Sequence, residues 1–384
     1  MPRRVLVLTV LVAAVLAAMV QPAGGSRFMK IGIYDEAQTL YGPIPKTFSE
    51  LGALKVQLIR LNLYWGGRYG VAKERPKKAT DPGDPAYNWA LYDRTVNYAA
   101  QYRIQVVFSI YGTPSWANDA KGANVAPIKP ADLRAFAYAA ATRYSGSYLA
   151  EVNGKALPQV RQWLAWNEPN NPVFLTPQYR RVGSGWVVQS AVDYARICNA
   201  IYSGVHATLL KGEQVACGVT APRGSNNPND SRPSLSPLAF LRAVKRNHLK
   251  TFDAWAHHPY YGNPSETPAT KPRSSTTAAP TAITLGNIDL LTREVTRLYG
   301  NKRIWITEYG YQTNPPDTIF GVSPVAQAAY LTQAFAIAKR NPRIDMMLWF
   351  LLKDEANLGG WQSGLLTIDD RKKPAYFAFQ RLRR

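Results

Sequence analysis

The chain contains few of the residues that build metal centres. Of its 384 residues only two are cysteine and four are histidine, and they do not stand at the spacings of a zinc site. We therefore expect no metal site and no cofactor. The cysteines, Cys198 and Cys217, fall in a predicted helix and in the strand that follows it. They could face one another, but spacing alone does not decide whether they form a disulfide.

Acidic residues are also scarce. Asp and Glu total 25 against 46 Lys and Arg, which gives a formal net charge of +21 at pH 7. Such a charge could hold the protein near anionic cell-surface polymers or help it bind an acidic glycan, but we favour a bias spread over the whole surface. The basic residues do not alternate with aromatic residues in a nucleic-acid-binding motif, so we expect no nucleic-acid partner.

Only the N-terminus carries a long apolar run. Arg3 and Arg4 precede an uncharged run over residues 5–20, which is shorter than the roughly 20 apolar residues of a membrane-spanning helix and is typical of a signal-peptide core. We expect residues 1–25 to be a signal peptide and the mature protein to be secreted, with no stable membrane insertion. An uncleaved N-terminal anchor is the alternative, since Gln21 stands where the cleavage site would favour a small residue.

Beyond residue 25, segments typical of buried parallel strands alternate with amphipathic helical segments. The predicted strands are 29–33, 56–63, 104–110, 162–166, 214–219, 252–257, 303–307 and 345–350. The predicted helices are 46–54, 89–101, 131–149, 188–209, 237–247, 285–298, 324–339 and 374–382. Eight such units predict an α/β fold, a single-domain (β/α)8 TIM barrel over residues 26–384. A doubly wound sheet is less consistent, because no glycine-rich phosphate turn follows the first strand.

Two glutamates stand at the ends of predicted strands. Glu168 lies in Trp-Asn-Glu-Pro-Asn at 166–170, after the fourth strand, and Glu308 lies in Thr-Glu-Tyr-Gly at 307–310, after the seventh. In such barrels the functional residues collect at the C-terminal ends of the strands. Two carboxyl groups that face each other across a sugar are what glycosidic bond cleavage requires. The sequence therefore predicts that Glu168 and Glu308 are a catalytic pair.

Other polar and aromatic residues recur at the same predicted strand ends. Taken singly, each is more often a structural residue, but together they fit a cleft in which rings stack on sugar faces and polar edges reach hydroxyl groups. A low-complexity stretch at 263–281 follows the sixth strand and is either a loop on the same face or an insertion without function. The predicted substrate-binding residues are Arg60, Asn167, His258, Tyr260, Trp349, Tyr111 and Trp116.

These motifs resemble those of the clan A retaining glycoside hydrolases. Asn-Glu-Pro at 167–169 resembles their fourth-strand signature, and the sequence around Glu308 resembles their nucleophile strand. His-Pro-Tyr at 258–260 is similar to the pattern of family 5, whereas Trp-Asn-Glu-Pro-Asn and Gly-Thr-Pro-Ser-Trp at 112–116 are similar to family 39. Tyr111 stands where family 5 usually has a histidine, so the choice between the two families stays open.

The resemblance also implies roles for the site residues. Arg60 matches the second-strand arginine and Trp349 the eighth-strand tryptophan. Glu308 is expected to be the nucleophile, oriented by Arg60 and Tyr260. Glu168 is expected to be the general acid, with a pKa raised by the charge of Glu308. Asn167 is expected to bind the sugar 2-hydroxyl.

The implied reaction is hydrolysis of a β-glycosidic bond in an oligo- or polysaccharide, with retention of configuration. Its carboxyl groups should lie about 5–5.5 Å apart. Two alternatives stay open. The first is a non-catalytic carbohydrate-binding barrel at the cell surface, and the second is a transglycosylase. The sequence identifies neither the sugar nor whether cleavage is internal or terminal.

Overall fold

The computed structural model describes residues 26, 28–150, 154–272 and 281–383. Eight parallel strands close into a barrel in the order β1-β10-β9-β8-β7-β4-β3-β2, which confirms the predicted TIM barrel. The barrel strands are β1 (Lys30–Tyr34), β2 (Leu58–Tyr64), β3 (Gln105–Tyr111), β4 (Gln162–Ala165), β7 (Gln214–Thr220), β8 (Ala254–His257), β9 (Arg303–Tyr309) and β10 (Ile344–Phe350). Two short strands that were not predicted, β5 (Arg180–Val182) and β6 (Gly185–Val187), form an antiparallel hairpin after β4.

Each barrel strand is followed by a helix close to the predicted position. The helices are α1 (Ile44–Ala53), α2 (Ala90–Gln101), α3 (Pro130–Arg143), α4 (Gln189–His206), α5 (Pro237–Arg246), α6 (Ile288–Tyr299), α7 (Pro324–Arg340) and α8 (Pro374–Gln380). Helix α3 ends well before the predicted residue 149. The helix ends at Arg143, and Gly146, three residues later, has a φ of 88° that a helix cannot contain.

The core has two layers because barrel strands are buried on both faces. Small and aliphatic side chains such as Val107, Leu164 and Leu348 fill the inside of the barrel. A larger layer lies between the strands and the surrounding helices. Successive side chains on one strand therefore enter different layers, and on β10 Leu348 points inward while Trp349 belongs to the outer layer.

Cys198 and Cys217 form a disulfide, which answers the question that their spacing left open. The bond joins α4 to β7, their Cα atoms lie 6.1 Å apart, and both side chains are fully buried. The cross-link therefore fastens the outer helical layer to a barrel strand directly beneath it.

Two sequence predictions fall on residues outside the described ranges. The predicted signal peptide, residues 1–25, lies there entirely, as do residues 273–280 of the low-complexity stretch. Among the described residues, no helix has both the length and the apolar character needed to cross a membrane.

Candidate active site

The backbone turns sharply just after β4, where Glu168 lies. Trp166 and Glu168 have φ values of 72° and 37°, in the left-handed region that non-glycine residues rarely adopt and that is often found at functional sites. The N–H of Trp166 still donates to the carbonyl of Ile110 on β3 at 2.9 Å, and the N–H of Glu168 donates to Val219 on β7 at 2.8 Å. The two neighbouring strands thus hold this strained turn in place.

Glu308 projects from β9 and is held through both carboxylate oxygens. Its Oε1 accepts a hydrogen bond from Arg60 Nη1 at 2.7 Å, and its Oε2 accepts one from the Tyr260 hydroxyl at 3.1 Å. Arg60 is fully buried and its guanidinium lies 4.4 Å from the centre of the Tyr34 ring. The arginine balances the charge of Glu308, and the two contacts fix the direction of the carboxylate.

Glu168 occupies a different environment, in which its side chain is only 12% exposed. Its Oε1 lies 2.9 Å from His258 Nδ1, and its Oε2 accepts from Asn171 Nδ2 at 3.1 Å. Burial raises the pKa of Glu168 to about 7, and the Asn171 hydrogen bond and the charge of Arg60 only partly oppose it. The direction agrees with the sequence prediction, but the cause we expected, the charge of Glu308, was wrong.

His258 lies between the two glutamates and is completely buried. Its Nε2 lies 3.1 Å from Arg60 Nη1, and its Nδ1 lies 3.5 Å from Glu308 Oε1 as well as near Glu168. Burial lowers the pKa of His258 to about 3, so the ring is neutral. Because a guanidinium can only donate, Nε2 accepts and the single ring proton sits on Nδ1, facing both carboxylates.

The three side chains converge closely. One oxygen of Glu168, one of Glu308 and a ring nitrogen of His258 all lie within 4.8 Å of one another. Among the described residues this is also the one group of His, Asp and Glu side chains close enough to hold a metal ion. However, the Arg60 cation and the Nδ1 proton of His258 already face these oxygens. A metal ion would have to compete with both, so the arrangement fits a hydrogen-bonded pair of carboxyl groups better than a cation site.

The two carboxyl groups open into a cleft of about 1060 Å³. Asn167 lies in its floor, where its Oδ1 accepts from Arg60 Nη2 at 2.7 Å, so that its Nδ2 group is the one left for a ligand. Aromatic rings dominate the walls, together with two arginines. These lining residues are Tyr34, Tyr64, Phe174, Tyr260, Tyr261, Phe320, Phe350, Trp361, Arg223 and Arg232.

Trp349 does not lie in this cleft, contrary to the sequence prediction. It is fully buried on the outer face of β10, where its indole N–H donates to the Ser363 carbonyl at 2.8 Å. The next residue, Phe350, faces the cleft instead because side chains alternate along a strand. Trp361, from the loop after β10, supplies the exposed indole, with its ring 5.1 Å from that of Tyr260.

Trp116 and Tyr111 also stand outside the cleft lining. The Trp116 indole donates to the Ala72 carbonyl at 2.9 Å and packs edge-on against Trp65. Tyr111 lies behind the wall, with its ring 6.2 Å from that of Phe174. Trp116 thus packs against the loop after β2, whereas Tyr111 packs behind a residue that lines the cleft. The structure brings the other four predicted residues, Arg60, Asn167, His258 and Tyr260, together around the glutamates.

Several cleft residues were missed from the sequence. Asn171 follows the Trp-Asn-Glu-Pro-Asn motif directly, and that adjacency could have identified it. Arg223 and Arg232 lie in the loop after β7, and Trp361 lies in the loop after β10. Their place after a strand was the available signal, since all loops that follow barrel strands meet on one face.

The barrel has the fold of known glycosidases. The chain is similar to a glucosidase from Croceicoccus marinus, with a TM-score of 0.64 and 15% identity over 94% of this chain and 68% of that one. A family 39 glycoside hydrolase from Bacteroides cellulosilyticus WH2 gives 0.60 and 17% over 94% and 64%. A family 39 β-xylosidase from Caulobacter crescentus gives 0.60 and 18% over 94% and 72%. The expected resemblance to a clan A, family 39-like barrel is confirmed for the fold.

The particular family has no known function. The chain belongs to DUF5722, a family of unknown function, which matches residues 90–383. No curated protein matches the sequence. The chain spans 64% to 72% of the length of the three glycosidases named above. The shared fold therefore does not assign their activities to this chain.

Proposed function

We propose that this protein is a retaining glycoside hydrolase that cleaves β-glycosidic bonds of oligo- or polysaccharides through a covalent glycosyl-enzyme intermediate. The observation that carries the proposal is the convergence of Glu168 and Glu308, whose nearest ligand oxygens lie within 4.8 Å. Retaining enzymes hold their two carboxyl groups about 5–5.5 Å apart, whereas inverting enzymes leave about 6.5–9.5 Å for a water molecule. The fold shared with glycosidases supports the same class of reaction.

In the first step Glu308 attacks the anomeric carbon of the sugar. Arg60 and Tyr260 bind its two oxygens, so the carboxylate is aimed before the substrate arrives and little reorganisation is needed. A bond forms between a Glu308 oxygen and the anomeric carbon while the glycosidic C–O bond breaks. The amide group of Asn167 donates to the 2-hydroxyl, a contact that strengthens in the transition state; the bond from Arg60 to its Oδ1 supports this role.

Glu168 supplies the proton that the leaving group needs. Its pKa of about 7 keeps much of it protonated at neutral pH, which suits a general acid. After the leaving group departs, the ionised Glu168 takes a proton from water, and the resulting hydroxide attacks the anomeric carbon and releases Glu308. Exposed rings at the cleft, Trp361 above all, provide the surface on which a sugar stacks.

The proposal is tested with a panel of aryl β-glycosides and of plant and microbial polysaccharides. Glu308→Ala should reduce turnover to background on every substrate. The turnover of Glu168→Ala should fall about 10²–10⁴-fold on substrates with a poor leaving group and far less on activated aryl glycosides. Added azide, which needs no general base, should speed this variant and yield a glycosyl azide of retained configuration.

Glu213→Gln is the matched control, because Glu213 is a second buried carboxyl that binds Trp163 Nε1 at 2.6 Å outside the cleft. It should leave turnover unchanged. Binding without turnover by the native protein would favour a carbohydrate-binding barrel, and products longer than the starting oligosaccharide would favour a transglycosylase. Equal loss on all substrates for Glu168→Ala would contradict its acid role.

We also propose that the mature domain is secreted after removal of residues 1–25. The support is the N-terminal sequence, with two arginines ahead of an uncharged run. N-terminal sequencing of the exported protein tests this, and a chain that still begins at residue 1 in the membrane fraction would contradict it.

A further inference from the structure

The charges that line the cleft do not balance. Its charged lining residues are Glu168, Glu308, Arg223 and Arg232. Glu308 is paired with the buried Arg60, and the raised pKa of Glu168 leaves much of it uncharged at neutral pH. Among the described residues, no carboxylate lies within ion-pair distance of Arg223 or Arg232. The lining of the cleft therefore keeps a surplus of positive charge.

The acidic residues near these arginines are engaged elsewhere. Glu266 acts on Arg223 from a distance, but its two oxygens accept from Gly262 N at 2.6 Å and Asn263 Nδ2 at 3.0 Å. Asp230 accepts from the backbone N–H of Arg232 at 3.3 Å rather than from its guanidinium. Neither guanidinium thus has a carboxylate partner, and that of Arg232 keeps N–H groups beyond the one that donates to Asn171.

A chain of contacts places Arg232 on the far side of the acid from the nucleophile. Glu168 Oε1 faces His258 and Glu308, whereas Glu168 Oε2 accepts from Asn171. The Oδ1 atom of Asn171 in turn lies 3.4 Å from Arg232 Nη2. A substrate that spans the two glutamates would therefore lay its leaving group toward Arg232.

The loop that carries both arginines is built into the site. Asn170, two residues after the acid, is fully buried and binds both ends of this loop. Its Oδ1 accepts from Ala221 N at 2.8 Å, and its Nδ2 donates to Leu235 O at 2.9 Å. These two hydrogen bonds fix the ends of the loop, and hence the backbone that carries the arginines, relative to Glu168.

The opposite wall of the cleft is different. Strand β1 lies four strands from β7 around the barrel, and this wall presents the uncharged Tyr34, Asn62 and Tyr64. The carboxyl group of Glu36 interacts with Tyr64 and Asn62 from behind this wall and is not part of the lining. The positive charge that has no carboxylate partner is therefore on the side of the loop after β7.

We propose that the substrate carries an anionic group, a carboxylate or a sulfate, on the sugar that leaves from the Glu168 side, and that Arg223 and Arg232 bind it. This inference rests on the proposed function and names its substrate class. The planar guanidinium matches both anions with two parallel hydrogen bonds. The net charge of +21 attracts any polyanion, but among the described residues Arg223 and Arg232 are the basic side chains that line the cleft, while Arg60 beneath it is paired with Glu308.

The test compares the native protein with the double variant Arg223→Gln/Arg232→Gln. The control is Arg246→Gln/Arg293→Gln, which removes the same charge from exposed positions on α5 and α6. Calorimetry at 0.15 M salt measures the affinity for a β-linked polyuronate and for its carboxyl-reduced form. A sulfated polysaccharide and its desulfated form are measured in the same way and show which anion is preferred.

The native protein and the control variant should bind one anionic polymer at least tenfold more tightly than its neutral counterpart. The cleft variant should lose that preference, because each partly exposed pair contributes up to about fivefold. An equal loss in the control variant, or no preference in either polymer pair, would overturn the proposal. Binding is measured without turnover. If the native protein prefers the anionic polymer but cleaves no aryl glycoside, the proposed hydrolase activity would be contradicted and the proposed anion site would not.

For turnover, aryl glycosides with a carboxylated and an uncharged leaving group are compared. The ratio of their kcat/KM values should fall about tenfold in the cleft variant and stay constant in the control. An unchanged ratio in the cleft variant, with both substrates still cleaved, would show that the arginines do not bind the leaving group.

Discussion

Glu168→Gln should make the protein more stable than the native form at alkaline pH but not at acid pH. The pKa of this carboxyl rises from 4.5 to about 7 on folding, because burial penalises the charged form. The folded protein thus holds the proton more tightly than the unfolded chain. The contribution to stability is complete below pH 4.5 and is lost as pH rises through 7. At about 1.4 kcal/mol per pH unit, the loss is about 3 kcal/mol by pH 8.

The glutamine stays neutral, so the variant does not undergo this loss. Urea unfolding at several pH values should show the stability difference, variant minus native, growing by about 3 kcal/mol between pH 4 and pH 8. The same ionisation should give the native enzyme an alkaline fall in kcat/KM near pH 7. Glu213→Gln is the control, since burial also raises the pKa of Glu213 to about 7; it should change the stability profile but not the activity profile. A constant stability difference between Glu168→Gln and native would refute the reasoning.

Two other predictions follow from where the structure places particular side chains. Trp361→Ala should raise KM about two- to twelvefold, as expected for the loss of about 0.5–1.5 kcal/mol of ring packing. Trp349→Phe should leave KM unchanged and cost about 0.5–1.5 kcal/mol of stability, because it removes the indole hydrogen bond to the Ser363 carbonyl, to which Gln327 Nε2 still donates. Steady-state kinetics and urea unfolding separate the two effects, and a KM effect at Trp349 would contradict its position outside the cleft. Replacing Cys198 and Cys217 by alanine should lower the free energy of unfolding by about 3 kcal/mol for a cross-link across 19 residues, with kcat unchanged; a stability equal to that of the native protein under the same conditions would contradict this.

The barrel could be predicted from the sequence because parallel strands buried on both faces form nearly continuous apolar runs. The same property hid which face each side chain enters, and for that reason Trp349 was placed in the cleft instead of Phe350. The exposed hairpin β5–β6 has no apolar run and gave no strand signal. Helix α3 was extended too far because the positive φ of Gly146 becomes evident only in the structure.

The positions of the two glutamates in the sequence were enough to predict that they converge, since strand ends meet on one face of a barrel. The environment of each was not. The hydrogen bond from Asn171 and the depth of burial that sets the pKa of Glu168 depend on loops whose conformation the sequence does not reveal. Arg223 and Arg232 could not be distinguished among 46 basic residues until the fold placed them in the lining of the cleft.

The shared imidazole of His258 has a consequence for the timing of the proposed reaction. While Glu308 is a free carboxylate, its charge, 3.5 Å away, also attracts the proton that Nδ1 donates to Glu168. Once Glu308 is esterified its oxygen becomes a much poorer acceptor, and the proton turns toward Glu168 alone. That stronger hydrogen bond favours the ionised carboxyl at the moment when a base is needed. A stationary ring thus relays the state of one glutamate to the other, and substitutions at the two should not be additive.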